Sequence, residues 1–125
     1  MITINIRDKR PIYEQIMDSI KEQIIHGLLK PNDKMPSIRQ LASTLEITPN
    51  TVSKAYTELE REGVLITVRG KGNFISDTPI GDKGEKKMEE LTKVLQKLCI
   101  EWQYTGQTKE TLIEMIDKLY VEEEN

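Results

Sequence analysis

Aromatic residues are scarce in this chain: its 125 residues include one Phe, one Trp and four Tyr, so any core is mostly aliphatic. There is a single cysteine, Cys99, which excludes an internal disulfide and a cysteine-based zinc site. The only histidine, His26, lies far from Cys99 in sequence, and the two together make no credible metal site. His26 reads as structural or solvated, and Cys99 as a small, partly buried helical residue. No apolar run approaches the roughly 18 residues needed to cross a bilayer. The N-terminal MITINIRDKRPIY lacks a basic-then-apolar signal pattern. There is no Ser-His-Asp set, no phosphate-binding glycine loop opening a helix, and no paired carboxylates marking a cleft. The expectation is a cytoplasmic protein that is not an enzyme and needs no cofactor or metal.

Excess positive charge is also missing. The formal net charge is −3, which argues against a blanket attraction to polyanions. The charge is uneven, however. Residues 1–79 hold 11 Lys/Arg against 10 Asp/Glu (+1), and residues 80–125 hold 7 against 11 (−4). Binding to nucleic acid therefore has to come from local arrangement.

What is present is helical periodicity. Residues 2–6, ITINI, suit a short strand or an extended arm. From Pro11, the residues Ile12, Ile16, Ile20 and Ile24 recur every fourth position, with Tyr13, Met17 and Ile25 widening the stripe. Gly27 and Pro31 close this helix, and PNDK at 31–34 reads as a turn. Ser37 is a good cap for a second helix bearing Ile38, Leu41, Ala42 and Leu45 on one face. Thr48–Pro49 is a start signal, because proline suits the first helical position and the residue before it avoids the α region. A third helix follows from Pro49 to about Glu62, separated from the second by a short turn near EIT. Gly63 ends it. VLITV and FISD, on either side of RGKGN, then read as a β-hairpin.

The third helix divides its residues in a way that matters for function. Val52, Ala55, Tyr56 and Leu59 gather on one side, and Asn50, Lys54, Thr57 and Arg61 on the other, flanked by Ser53. The second set is rich in hydrogen-bonding groups near the helix N-terminus, as a recognition helix requires. An ordinary amphipathic helix also has a polar outer face, so the neighbours decide. Arg39 sits near the start of the preceding helix, and Arg69-Gly70-Lys71-Gly72 puts two cations on a glycine framework that permits close backbone approach. Three basic elements at the places of one winged helix-turn-helix point to DNA.

The run GLLKPNDKMPSIRQLASTLEITPNTVSKAYTELEREGVLITVRGKGNFI closely resembles the DNA-binding domain of the GntR family of bacterial transcription regulators. The family pattern G-x-L-x-P-G-x-x-L-P-S-x-R-x-L-A, then N-T-V-x-x-A-Y-x-x-L, then G-x-G-x-F, covers residues 11–76 almost without gaps. By position, the resemblance implies DNA contacts from Arg39, from Thr48, Pro49, Asn50, Thr51, Ser53 and Lys54, and from Arg69, Gly70, Lys71 and Gly72. Asn32 replaces a frequent family glycine, which a turn accommodates because Asn tolerates left-handed geometry. Many relatives carry arginine at the positions of Pro49 and Ser53. Base readout here is therefore expected to lean on Asn50, Lys54 and Arg39.

DTPIGDKGEKK reads as a linker. Beyond it Met88, Leu91, Leu95, Leu98 and Trp102 follow heptad spacing. YTGQT breaks this pattern, and a last helix carries Leu112, Met115, Ile116 and Leu119 on one face before an acidic EEEN end. Two such helices bury too little surface to stand alone. They lean either on their own winged domain or on a second subunit. The tail resembles that of the YtrA-like subfamily, whose two tail helices dimerise, and this implies a partner subunit contacted through Leu91, Leu95, Leu98, Trp102, Leu112, Met115, Ile116 and Leu119.

The expected fold is mainly α with a small β-hairpin. A winged helix-turn-helix at 1–78 and a linker at 79–84 precede a two-helix dimerisation region at 85–125. The expected function is that of a homodimeric, sequence-specific DNA-binding regulator, a repressor on a pseudo-palindromic operator of double-stranded DNA. A small-molecule effector is an open possibility that no residue identifies. The alternative from another class is a winged-helix protein-interaction module without sequence-specific DNA binding, which the basic wing disfavours.

Overall fold

The computed structural model describes residues 2–79 and 84–121. Five helices and two strands occur in the order α1 (Ile12–Ile25), α2 (Ile38–Leu45), α3 (Pro49–Arg61), β1 (Leu65–Val68), β2 (Gly72–Ile75), α4 (Gly84–Tyr104) and α5 (Lys109–Leu119). They form two compact units, one of α1 to β2 and one of α4 and α5. Most of the linker expected at 79–84, and the acidic end at 122–125, lie outside the described residues.

The isoleucine stripe of α1 does what its spacing implies. Ile16 and Ile20 are wholly buried and meet Val52 and Leu59 of α3, with Leu65 and Ile75 of the hairpin completing the centre of the core. Burial of each such side chain stabilises by about 1.5–3 kcal/mol. Ser37 caps α2 through a full capping box: its Oγ accepts from Gln40 N–H, and the Gln40 side chain accepts from Ser37 N–H. A left-handed residue, Glu46, ends α2 and turns the chain toward α3. Asn32 also takes a positive φ of 71°, as its place in the turn requires.

Residues 2–5 form no strand, and a turn follows from Ile6. Gln15, buried on α1, accepts from Asn5 N–H at 2.7 Å and donates to the Asn5 and Arg10 carbonyls at 3.1 Å each. The Gln15 amide thus satisfies both backbone groups of Asn5, and Thr3 N–H donates to Ser19 Oγ at 3.2 Å. The PNDK turn also goes further than a turn. Asn32 N–H donates to the Ile75 carbonyl, Ile75 N–H to that of Asp33, and Met35 N–H to that of Asn73, each at 2.8 Å. Residues 32–35 therefore line the free edge of β2 and fasten the antiparallel β1–β2 hairpin to the α1–α2 connection.

In the second unit Trp102 closes the turn between the helices. Its Nε1–H is shared between the Thr108 carbonyl at 3.0 Å and Thr111 Oγ1 at 3.1 Å. Thr108 caps α5 by accepting from Thr111 N–H. No residue of α5 is buried. No helix among the described residues is long and apolar enough to cross a membrane.

Candidate nucleic-acid interface

The interface is built around the start of α3. Pro49 opens the helix, and Thr48 is its N-cap residue with extended backbone. The Thr48 hydroxyl does not cap the backbone, however; it lies 2.9 Å from the Thr51 hydroxyl. Pro49 has no N–H and Thr51 N–H donates to the Thr48 carbonyl at 3.2 Å, so the start of α3 carries no side-chain cap, as suits a helix end that meets phosphate.

At about 100° per residue, α3 presents three polar strips around its buried side. Asn50, Thr57 and Arg61 lie opposite the core and are exposed. Pro49, Ser53, Tyr56 and Glu60 form one flank. That flank is tied to α2 and to the wing, because buried Tyr56 donates its hydroxyl to the Pro36 carbonyl at 2.7 Å and Glu60 accepts from Thr67 Oγ1 at 2.6 Å. Burial pushes the Tyr56 phenol well above its ordinary pKa, so it stays a donor. The Pro36 anchor holds the Ser37-capped start of α2, and with it the exposed Arg39, against α3.

The other flank carries Thr51, Glu58 and Glu62 and faces α1, with exposed Lys54 between it and the Asn50–Thr57–Arg61 strip. Lys54 Nζ sits 4.1 Å from the centroid of the Tyr13 ring, and Glu62 accepts from Lys21 at 2.8 Å. Arg61 pairs with Glu58 at 3.1 Å, which partly spends its charge within the helix. Ser53, half-buried on the wing-side flank, and Lys54, on the α1 side, thus diverge although adjacent in sequence.

The wing tip runs from Arg69 to Lys71, exposed throughout, with Lys71 N–H donating to the Val68 carbonyl at 2.9 Å. Gly70 has φ +79° with open space around a would-be Cβ. The glycine there is needed for backbone shape, and its surroundings leave room for a ligand. At Gly72, φ is +119° and an added Cβ would stand 3.5 Å from Lys34 Cε. Lys34 therefore lies along the wing as a third cation, which sequence reading did not single out. Its one local signal is strand-like alternation, exposed Lys34 beside buried Met35. No group of three His, Cys, Asp or Glu among the described residues could hold a metal ion.

A capped α2, a proline-opened α3 and a basic, glycine-shaped wing coincide with a family pattern. Residues 12–75 match the bacterial regulatory proteins of the gntR family. The chain belongs to the GntR family. Among curated relatives, it is 45% identical to the HTH-type transcriptional repressor YtrA of Bacillus subtilis (strain 168) over 119 residues, which are 95% of this chain and 92% of that one. Among solved structures, it is similar to a transcriptional antiterminator from Listeria monocytogenes EGD-e, with TM-score 0.88 and 43% identity over 94% of this chain and 88% of that one. It is also similar to AraR(DBD) in complex with operator ORE1, with TM-score 0.52 and 26% identity over 61% of this chain and 93% of that one. As a GntR-family member the chain is a DNA-binding transcription regulator, and the relatives' names describe regulators and not enzymes. The protein-interaction alternative is not favoured.

Proposed function

We propose that this GntR-family chain is a cytoplasmic, homodimeric repressor that occupies a pseudo-palindromic DNA operator. Residues 1–78 bind DNA, 85–125 dimerise, and 79–84 link the two. The observation that carries the DNA half is the uncapped start of α3, held between the Arg39 end of α2 and the basic wing. In this reading Thr48, Pro49, Asn50, Thr51, Ser53 and Lys54 enter the major groove, Arg39 joins them at its edge, and Arg69, Gly70, Lys71 and Gly72 meet neighbouring phosphates. The relative named as a repressor and the neighbour solved with its operator support this reading.

The homodimer rests on a different observation. Leu91, Leu95 and Leu98 are 48%, 50% and 41% exposed, and Met115, Ile116 and Leu119 are exposed on α5. Trp102 and Leu112 are half-buried at the turn. A continuous apolar face of this kind on a single chain is an interface awaiting a partner, and a second copy supplies a matching face by twofold symmetry. Any effector would then act by shifting the spacing of the two α3 helices, which has to match the separation of the operator half-sites.

A gel-shift titration with duplex DNA from upstream of the chain's own operon tests the DNA half. The expected result is a sequence-dependent shift that weakens steeply with added salt. A duplex and its scrambled version binding alike, or neither binding, would refute it.

A further inference from the structure

The proposed DNA reading gives no role to Tyr13, an aromatic residue beside α3. Tyr13, the second residue of α1, is partly buried against the core and carries Lys54 Nζ 4.1 Å from its ring centroid. Eight residues further along both helices, Lys21 and Glu62 pair at 2.8 Å. Tyr13 and Lys54 differ by the same 41 positions as Lys21 and Glu62. Two contacts with one offset mean that α1 and α3 run side by side in the same direction, with their first turns at one end. Tyr13 thus stands beside the N-terminal half of α3, the part that enters DNA in the reading above.

Lys54 is also held without being neutralised. Glu58, one turn further along α3, is engaged by Arg61. The partner of Lys54 is a ring face, which attracts the cation but leaves its charge and its outward N–H donors available. A free lysine loses most of its rotamer freedom when it docks; one already laid across a ring has lost much of it beforehand.

We propose that Tyr13 is a positioning residue for operator recognition: its ring fixes the Lys54 ammonium at the α1-side edge of α3, and so sets which base or phosphate acceptor that cation meets. This makes operator preference a property of the α1–α3 pair and not of the recognition helix alone. The inference rests on the proposed DNA-binding function, and its test separates the two.

An operator is first selected with the wild-type chain from a random duplex library. Binding to it and to single-base variants is then measured by fluorescence anisotropy for wild type, Tyr13→Phe, Tyr13→Leu, Lys54→Met and the Leu/Met double variant, with thermal melts recorded for each. Tyr13→Phe, which keeps the ring, is expected to stay within about twofold of wild type. Tyr13→Leu is expected to lose about three- to fivefold and to flatten preference at the same base positions as Lys54→Met. In the Lys54→Met background, Tyr13→Leu should add almost nothing. Independent losses in the double variant would overturn the inference, as would Lys54→Met behaving like wild type or Tyr13→Phe failing as badly as Tyr13→Leu. A second readout needs no variant. The ε-methylene protons of Lys54 should show an upfield ring-current shift in the free protein and keep it in the operator complex, and loss of the shift on binding would overturn the inference. If the wild-type chain selects no operator at all, it is the DNA reading that fails.

Discussion

The two units of this chain use their aliphatic residues to opposite ends. In the winged unit the apolar positions turn inward: Ile16, Ile20, Val52, Leu59 and Ile75 have no exposed surface. Its polar groups are also committed locally, by Gln15 to the arm, Ser37 to α2 and Tyr56 to Pro36. In the two-helix unit the Trp102–Thr108–Thr111 cluster fastens the turn, and Leu119 is left 71% exposed. The first arrangement is a domain that stands by itself. The second leaves its apolar face exposed, and in the proposed dimer a second copy covers it.

The comparison can be broken most forcefully at the centre of the winged unit. Leu59→Ala should destabilise that unit by about 2–5 kcal/mol, read from urea denaturation followed by tyrosine fluorescence, while the sedimentation mass stays that of a dimer in the absence of denaturant. A change below about 1 kcal/mol would mean that Leu59 is not at the core's centre. In the tail, Leu95→Glu should do the reverse. The dimer dissociation constant should rise by more than about a hundredfold, as for a charge forced into an interface hot spot, with the winged unit's stability unchanged. A dimer that survives this change would remove the proposed interface.

A smaller effect is expected where the winged unit joins its helices. Tyr56→Phe removes one buried hydrogen bond and should cost about 1–2 kcal/mol. It should also alter the alkaline limb of stability. Burial raises the folded phenol's pKa above its unfolded value near 10, so the folded state binds the extra proton. The stabilisation is complete below about pH 10 and falls as pH rises beyond that value. The Phe variant should lack this fall. An unchanged alkaline profile would show that Tyr56 is not buried as described.

The finest distinction lies within the DNA-binding face. Lys71→Ala should weaken binding to all duplexes by a similar factor and reduce the slope of log affinity against log salt by about 1. Lys54→Ala should change the preference among operator variants as well as overall affinity. If the two variants behave alike in competition titrations, the division between phosphate and base contacts is wrong.

Much of this was legible in the sequence because it is written in neighbouring residues. Thr48–Pro49 announces the start of α3, Ser37 announces α2, and the Ile12–Ile24 stripe announces which side of α1 is buried. The less legible features depend on partners distant along the chain. Lys34 joins the wing only because Asn32, Asp33 and Met35 bond to the edge of β2, some forty residues away. Residues 2–5 form no strand, and Gln15, an unremarkable polar residue in an apolar stripe, meets the backbone of Asn5 there. Lys54 is legible as a candidate for base readout, but its ring partner comes from a helix 41 positions earlier. Periodicity says which side of a helix faces out; it does not say which neighbour bounds that side.

The most direct test of the contrast between the units is sedimentation velocity of the full chain, alone and with a duplex carrying its selected operator. The prediction is a dimer at micromolar concentration and a complex of two chains on one duplex. A chain that stays monomeric at tens of micromolar and occupies the duplex one copy at a time would contradict the account.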